Sequence, residues 1–205
     1  MKKERLRQKL FDSAWQIVES DGIENLNARR LAKESSCALG SIYTIYSNFQ
    51  ELHLTLNAKI LTMLYNTLAK TLEAGIEHGK VLKEVFRDLG LAYINFGQDN
   101  LMLWKALFEY LPNDQVPSWY TKHAGEGIYS LCEKLSMHYT LTLDQAKKIV
   151  GFFWASIHGI CAIFLNQKLK MVSDLLSPAD RDAYVEYSLI GLLKEVPDAQ
   201  LASHK

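Results

Sequence analysis

Ile42 and Tyr46 stand four residues apart within residues 31–52, LAKESSCALGSIYTIYSNFQEL, and so share one face of any helix formed there. Leu39, Gly40, Ser41, Tyr43 and Thr44 spread over the other faces. One face is expected to pack, leaving the rest free to touch. The residue types suit a nucleic-acid duplex: the Tyr43 hydroxyl can meet a phosphate, Leu39 and Thr44 can meet a thymine methyl, and Gly40 lets the backbone come close. The plainer alternatives are core packing for Tyr43 and a tolerated helix glycine at Gly40.

Bond-breaking chemistry has less to work with. The chain holds no phosphate-cradling Gly loop, no paired-carboxylate signature, no HExxH, and no Ser or Cys flanked as an activated nucleophile, so no enzymatic activity is expected. The six His and three Cys are scattered, the nearest pair being His158 and Cys161, and neither metal nor cofactor is expected. Cys37, Cys132 and Cys161 lack CxxC spacing, and the first residues do not read as a secretion signal. Free thiols in a reducing cytoplasm are the expectation.

Short helices must position the reading residues. Leu6, Leu10, Ala14, Ile17 and Val18 recur at helical spacing over residues 4–20, and Asp21-Gly22 ends that helix. Asn27 can cap a second helix over residues 28–35. Ser35, Ser36 and Cys37 are small enough for a sharp turn, after which a third helix opens at Ala38. A helix of about two turns has little stability alone; the helix-turn-helix is the device that holds one out for a purpose. Asn48 and Glu51 form a capping-box variant at the start of a long helix reaching about residue 78, with Leu52, Leu56, Ile60 and Leu68 along one stripe. That helix can belong to the reading head at one end and to a larger domain at the other.

Beyond it, the pattern predicts helices over residues 81–96, 101–111, 118–139 and 143–171, the last opened by a Thr142 to Gln145 capping box. Ser177-Pro178-Ala179-Asp180 opens a final one. The expected fold is all-α, with about nine helices. Residues 1–47 form a helix-turn-helix head, and residues 48–205 form a helical ligand-binding and dimerisation domain. With 205 residues, 48% apolar content and a formal net charge of zero, the chain is not a protein that coats nucleic acid by charge alone. Charge placement matters more, because Lys2, Lys3, Arg5, Arg7 and Lys9 crowd the first ten residues and Arg29, Arg30 and Lys33 follow.

At Ser35-Ser36, Ala38 to Tyr43, Tyr43-Thr44-Ile45-Tyr46 and Ser47-Asn48 leading to Glu51-Leu52, the chain resembles the N-terminal domain of the tetracycline-repressor (TetR) family of bacterial transcriptional regulators. The resemblance covers about the first fifty residues. It departs from the family at Ala38, Ile45 and Phe49, where Ser, His or Tyr, and Lys are usual, and each departure removes a polar group that could meet a phosphate. The resemblance implies a cytoplasmic repressor that binds double-stranded operator DNA and is released by a small-molecule effector. It adds Asn27, Arg29, Ala38 and Ser41 to the DNA-contacting candidates. Trp154-Ala155-Ser156-Ile157-His158-Gly159 also looks like the C-terminal domain of a TetR subgroup with a Trp-His-Gly motif, although Ile157 replaces its Trp.

The larger domain offers two further sets. Residues 149–165 run without a formal charge, but Ser156, His158 and two glycines interrupt them, so burial in protein is expected rather than a membrane span. Gly151, Ala155, Gly159 and Ala162 form a strip of small residues that permits close approach of another helix, and Tyr184, Tyr187 and Gly191 give the last helix a second face. These seven are the expected homodimer interface. Trp104, Phe108, Trp119, Phe153 and His158 are the candidates for an apolar effector site, against a plainer role as core. A helical adaptor that binds only protein is the competing function; it would leave DNA unshifted and give Gly40, Ser41 and Tyr43 nothing to do.

Overall fold

The computed structural model describes residues 2–112, 115–165 and 180–193, apart from the side chain of residue 192. Among the described residues the chain forms nine α-helices, one 3-10 turn and no β-strand, as the sequence pattern predicts. They are α1 (Lys2–Asp21), a 3-10 turn (Ile23–Asn25), α2 (Ala28–Glu34), α3 (Leu39–Ile45), α4 (Phe49–Glu77), α5 (Leu82–Asp99), α6 (Leu101–Phe108), α7 (Ser118–His138), α8 (Leu143–Leu165) and α9 (Arg181–Leu193). Packing divides the chain into two compact units, Met1–Met63 with Asn100–Ala124, and Leu64–Asp99 with Gly125–Lys205.

In the first unit α1 is the spine. Leu10, Ala14, Ile17 and Val18 recur on one face and are at most 3% exposed, and α2, α3, α6 and the 3-10 turn pack against that helix. Gly22 ends α1 at φ 89°, in the left-handed region where a Cβ brings strain. Asn27 caps α2, its Oδ1 accepting from the Arg30 amide at 3.0 Å. At the start of α4, Asn48 Oδ1 accepts from the Glu51 amide at 2.8 Å while Glu51 Oε2 reaches back to the Ser47 amide at 2.7 Å. The expected boundary between residues 47 and 48 follows the motif. Packing instead assigns the first half of α4, all of α6 and the start of α7 to the unit that holds α3.

In the second unit α5, α8 and α9 pack on one another. A Cβ added to Gly90 would stand 3.1 Å from both Ile157 Cδ1 and Val185 Cγ1, so this glycine is where α5 meets α8 and α9 closely. Thr142 and Gln145 cap α8 reciprocally: the Thr142 amide donates to Gln145 Oε1 at 2.8 Å, and the Gln145 amide donates to Thr142 Oγ1 at 3.2 Å. Ala146, Ile149, Val150, Phe153, Ile157 and Cys161 form the buried face of α8.

Helix α8 differs from expectation on its other side. It is long and apolar enough to cross a membrane by length and composition, and only 28% of its most apolar window is buried within the protomer. Phe152 remains 59% exposed and Trp154 44%, because α5 and α9 cover a single face. The expected extension of α8 to residue 171, and the Ser177-Pro178-Ala179 opening of the last helix, lie outside the described residues.

Candidate functional site

The α2–turn–α3 segment is built by small residues, each with a separate task. Ser35 is fully buried and its hydroxyl donates to the Leu31 carbonyl at 2.6 Å, closing the end of α2. Ser36 takes φ 48°, the left-handed step that redirects the chain, and the Cys37 amide returns to the Ala32 carbonyl at 2.9 Å. Helix α3 then seats Ile42 and Ile45, with Tyr46 just beyond its end at 1% exposure. The Arg7 guanidinium lies 5.5 Å from the Tyr46 ring centroid and donates to the Ile45 carbonyl at 3.4 Å, tying α1 to the end of α3.

With that face fixed, Ala38, Leu39, Gly40, Tyr43 and Thr44 are exposed and Ser41 is half-buried. Leu39 and Tyr43 are 45% and 51% exposed, so much of each side chain is left outside the packing of α3. The Thr44 hydroxyl donates to the Ser41 carbonyl at 2.8 Å, so its methyl is the group left for an apolar contact. A Cβ on Gly40 would meet nothing within 4 Å, so no packing among the described residues requires glycine there. Ala38 caps α3 without a side-chain hydrogen bond. Asn27 and Arg29 are exposed at the start of α2, although Asn27 already spends its Oδ1 on the cap. Arg30 is engaged with Asp21. Of the residues that depart from the family pattern, Ile45 is 6% exposed and belongs to the core, while Phe49 is half-buried with its ring centroid 5.0 Å from that of His53.

The five expected effector residues fall in different units. Trp104 and Phe108 lie together on α6 at 5.1 Å between ring centroids, and Trp119 stands beside Tyr120 at 5.7 Å, all in the first unit. Phe153 packs edge-on against Phe86 at 4.8 Å, and the Tyr93 hydroxyl lies 2.8 Å from His158 Nδ1, both in the second unit. Neither unit by itself brings all five together. Of the expected interface residues, Gly151, Ala155, Tyr187 and Gly191 are exposed and Gly159, Ala162 and Tyr184 half-buried. Added Cβ atoms at Gly151, Gly159 and Gly191 would meet nothing within 4 Å among the described residues, whereas Tyr184 stands against Phe164 at 6.0 Å between ring centroids.

No protein-family model matches the sequence. The HTH-type nicotine-responsive transcriptional repressor HdnoR of Paenarthrobacter nicotinovorans is 25% identical over 96 residues, a match covering 47% of this chain and 49% of that protein. The chain therefore matches about half the length of this curated relative. Solved structures extend the likeness. A multidrug binding protein, EbrR, complexed with imidazole, matches with a TM-score of 0.61 at 18% identity, over 91% of this chain and 93% of its own. A TetR transcriptional regulator from Rhodococcus sp. RHA1 matches at 0.59 and 13% identity, over 96% of this chain and 100% of its own. The chain has the TetR-family fold.

Within this TetR-fold chain two polar residues stand out that no sequence pattern marks. His53 and Asn57 lie on the apolar stripe of α4, yet both ring nitrogens of His53 and Oδ1 of Asn57 are buried with no hydrogen-bond partner among the described residues. Burial alone pushes the His53 pKa down to about 4, so the imidazole is neutral at physiological pH. The three cysteines are free thiols; burial pushes Cys161 up to about 12, which makes it a poor nucleophile. Among the described residues no group of three or more His, Cys, Asp or Glu side chains could hold a metal ion.

Proposed function

We propose that this TetR-fold chain is a homodimeric transcriptional repressor that binds a pseudo-palindromic operator through α3 and is released from it by a small apolar or amphipathic effector. One observation carries the reading: α3 is a seven-residue helix whose Ile42 and Ile45 are fixed in the core while Leu39, Gly40, Tyr43 and Thr44 stay outside. Such a helix leaves side chains free to enter a major groove, and phosphate contacts from Tyr43 and Arg29 would set its register. The exposed Lys2, Lys3, Arg5 and Lys9 at the start of α1 supply attraction that the neutral whole does not.

A recognition helix this short reads few bases, which makes a two-fold partner the natural complement. The exposed strip on α8 and α9, with Phe152, Trp154, Tyr187 and Ile190 beside the small residues, suits a second copy of the chain. That partner would cover the apolar side of α8 without a bilayer. Relatives named for a nicotine response and for multidrug binding support a small-molecule effector as the release signal.

The test is selection of bound fragments from the source genome, with light scattering on the same preparation. The proposal expects dimers in detergent-free buffer and enrichment of inverted repeats whose half-sites lie about one helical turn apart or somewhat more. Absence of any enriched sequence would overturn it in favour of an adaptor that binds only protein.

A further inference from the structure

His53 and Asn57 stand four residues apart and so share one face of α4. Asn57 is 2% exposed. Three heteroatoms on this face, His53 Nδ1, His53 Nε2 and Asn57 Oδ1, have no partner among the described residues. Buried polar atoms in folded proteins are nearly always paired, and one isolated exception is ordinary, whereas three gathered on one helix face ask for a common partner. The surroundings are aromatic and belong to the same packed unit. The Tyr110 ring meets the His53 imidazole edge-on at 4.6 Å, Phe49 meets it at 5.0 Å, and the Asn57 side chain hydrogen-bonds Tyr120. One turn further, His123 Nε2 lies 3.0 Å from the Ala58 carbonyl and 3.1 Å from Thr62 Oγ1, so the start of α7 is tied to this part of α4.

The donor and acceptor pattern limits what could fit. A neutral imidazole offers one N–H donor and one bare nitrogen acceptor, and an amide oxygen only accepts. A partner must therefore accept one hydrogen bond and donate up to two, among ring faces and edges, with no formal charge on the named groups to neutralise an ion. An ionised carboxylate would meet a neutral histidine here and lose its hydration without compensation.

We infer that His53 and Asn57 anchor an uncharged aromatic effector that carries at least one hydroxyl or amide N–H donor and at least one acceptor, bound in the unit that also contains α3. The inference rests on the regulator reading and gives its effector a chemical class. The five aromatics expected from the sequence supply at most part of the wall.

The experiment is calorimetric titration of the full chain with resorcinol, benzamide and 2-pyridone, against toluene and benzoate as probes lacking the donor or carrying a charge. At least one of the first three should bind tenfold or more tightly than both controls, about 1.4 kcal/mol. His53→Phe and Asn57→Leu should each lose that advantage tenfold; His53→Phe should melt no lower than the parent, because it removes two unpaired atoms, whereas Asn57→Leu also breaks the bond to Tyr120 and should melt lower. His53→Gln, which keeps a donor and an acceptor, should retain part of the binding.

Three donor probes no better than toluene, or full binding in both apolar variants, would overturn the inference, as would a His53→Phe variant that melts well below the parent. Titration of the unliganded chain with a genome-selected duplex separates the two levels. Intact DNA binding with indifferent probes sinks only the effector assignment, whereas absent DNA binding sinks the regulator reading whatever the probes do.

Discussion

Gly40→Ala separates what the fold needs from what DNA needs. Gly40 is exposed, is not among the positive-φ glycines, and an added Cβ finds no atom within 4 Å among the described residues. The free chain should therefore gain, because alanine in a helix is favoured over glycine by roughly 0.5–1 kcal/mol. For a protein of this size that raises the melting temperature by about 1–4 °C. Against DNA the same methyl is an obstruction. Taking about 1 kcal/mol per half-site, the low end for forcing a methyl into a packed interface, the dimer loses about 2 kcal/mol, or roughly thirtyfold in affinity. Differential scanning fluorimetry and fluorescence anisotropy on one selected duplex read the two effects. Unchanged affinity in the variant would refute close approach of the α3 backbone to DNA. A lower melting temperature would refute the claim that no internal packing requires this glycine.

Other substitutions divide the roles further. Arg29→Ala should weaken binding to every duplex and reduce the log–log salt slope by about one unit for each phosphate left without its cation, whereas Leu39→Ala and Thr44→Ser should change which sequence is preferred; anisotropy on a set of duplexes at several salt concentrations distinguishes them. Ala155→Arg places a long charge on the exposed side of α8 and should yield monomers by light scattering, with the fold retained by circular dichroism. His53 titrates at about 4 in the folded chain, below its ordinary 6.5, so the unfolded chain takes up a proton first as the solution is acidified. Stability should then fall as pH drops from about 6.5 towards 4, and urea midpoints at several pH values should show that the fall is smaller in His53→Phe.

Local signals account for what is legible in the sequence. Helix periodicity, the Asn27 cap, the Asn48–Glu51 and Thr142–Gln145 boxes and the Gly22 stop act within a few residues, and each appears where the pattern places it. The burial of Ile42 against the exposure of Tyr43 and Thr44 follows from the same 3.6-residue period, whereas Leu39, three residues before Ile42, would share its face by that period and is nonetheless 45% exposed at the start of α3. Long-range packing is not legible in this way. Nothing local says that α6 packs on α1 and the 3-10 turn, which is what joins Asn100–Ala124 to the unit containing α3. In the sequence His53 and Asn57 are only polar interruptions of the α4 stripe, because their burial depends on Tyr110 and Tyr120, more than fifty positions away. Full burial of the α8 run is what apolar content predicts, since composition cannot distinguish a face covered within the protomer from one left for a second copy.

The most direct measurement of the central claim is an anisotropy titration of the full chain with a genome-selected duplex, a scrambled duplex of equal length, and both over a range of salt. The account predicts saturation at an even number of protomers per duplex, preference for the selected sequence, and affinity that falls steeply as salt rises. Equal binding to both duplexes, or no binding to either at low salt, would contradict it.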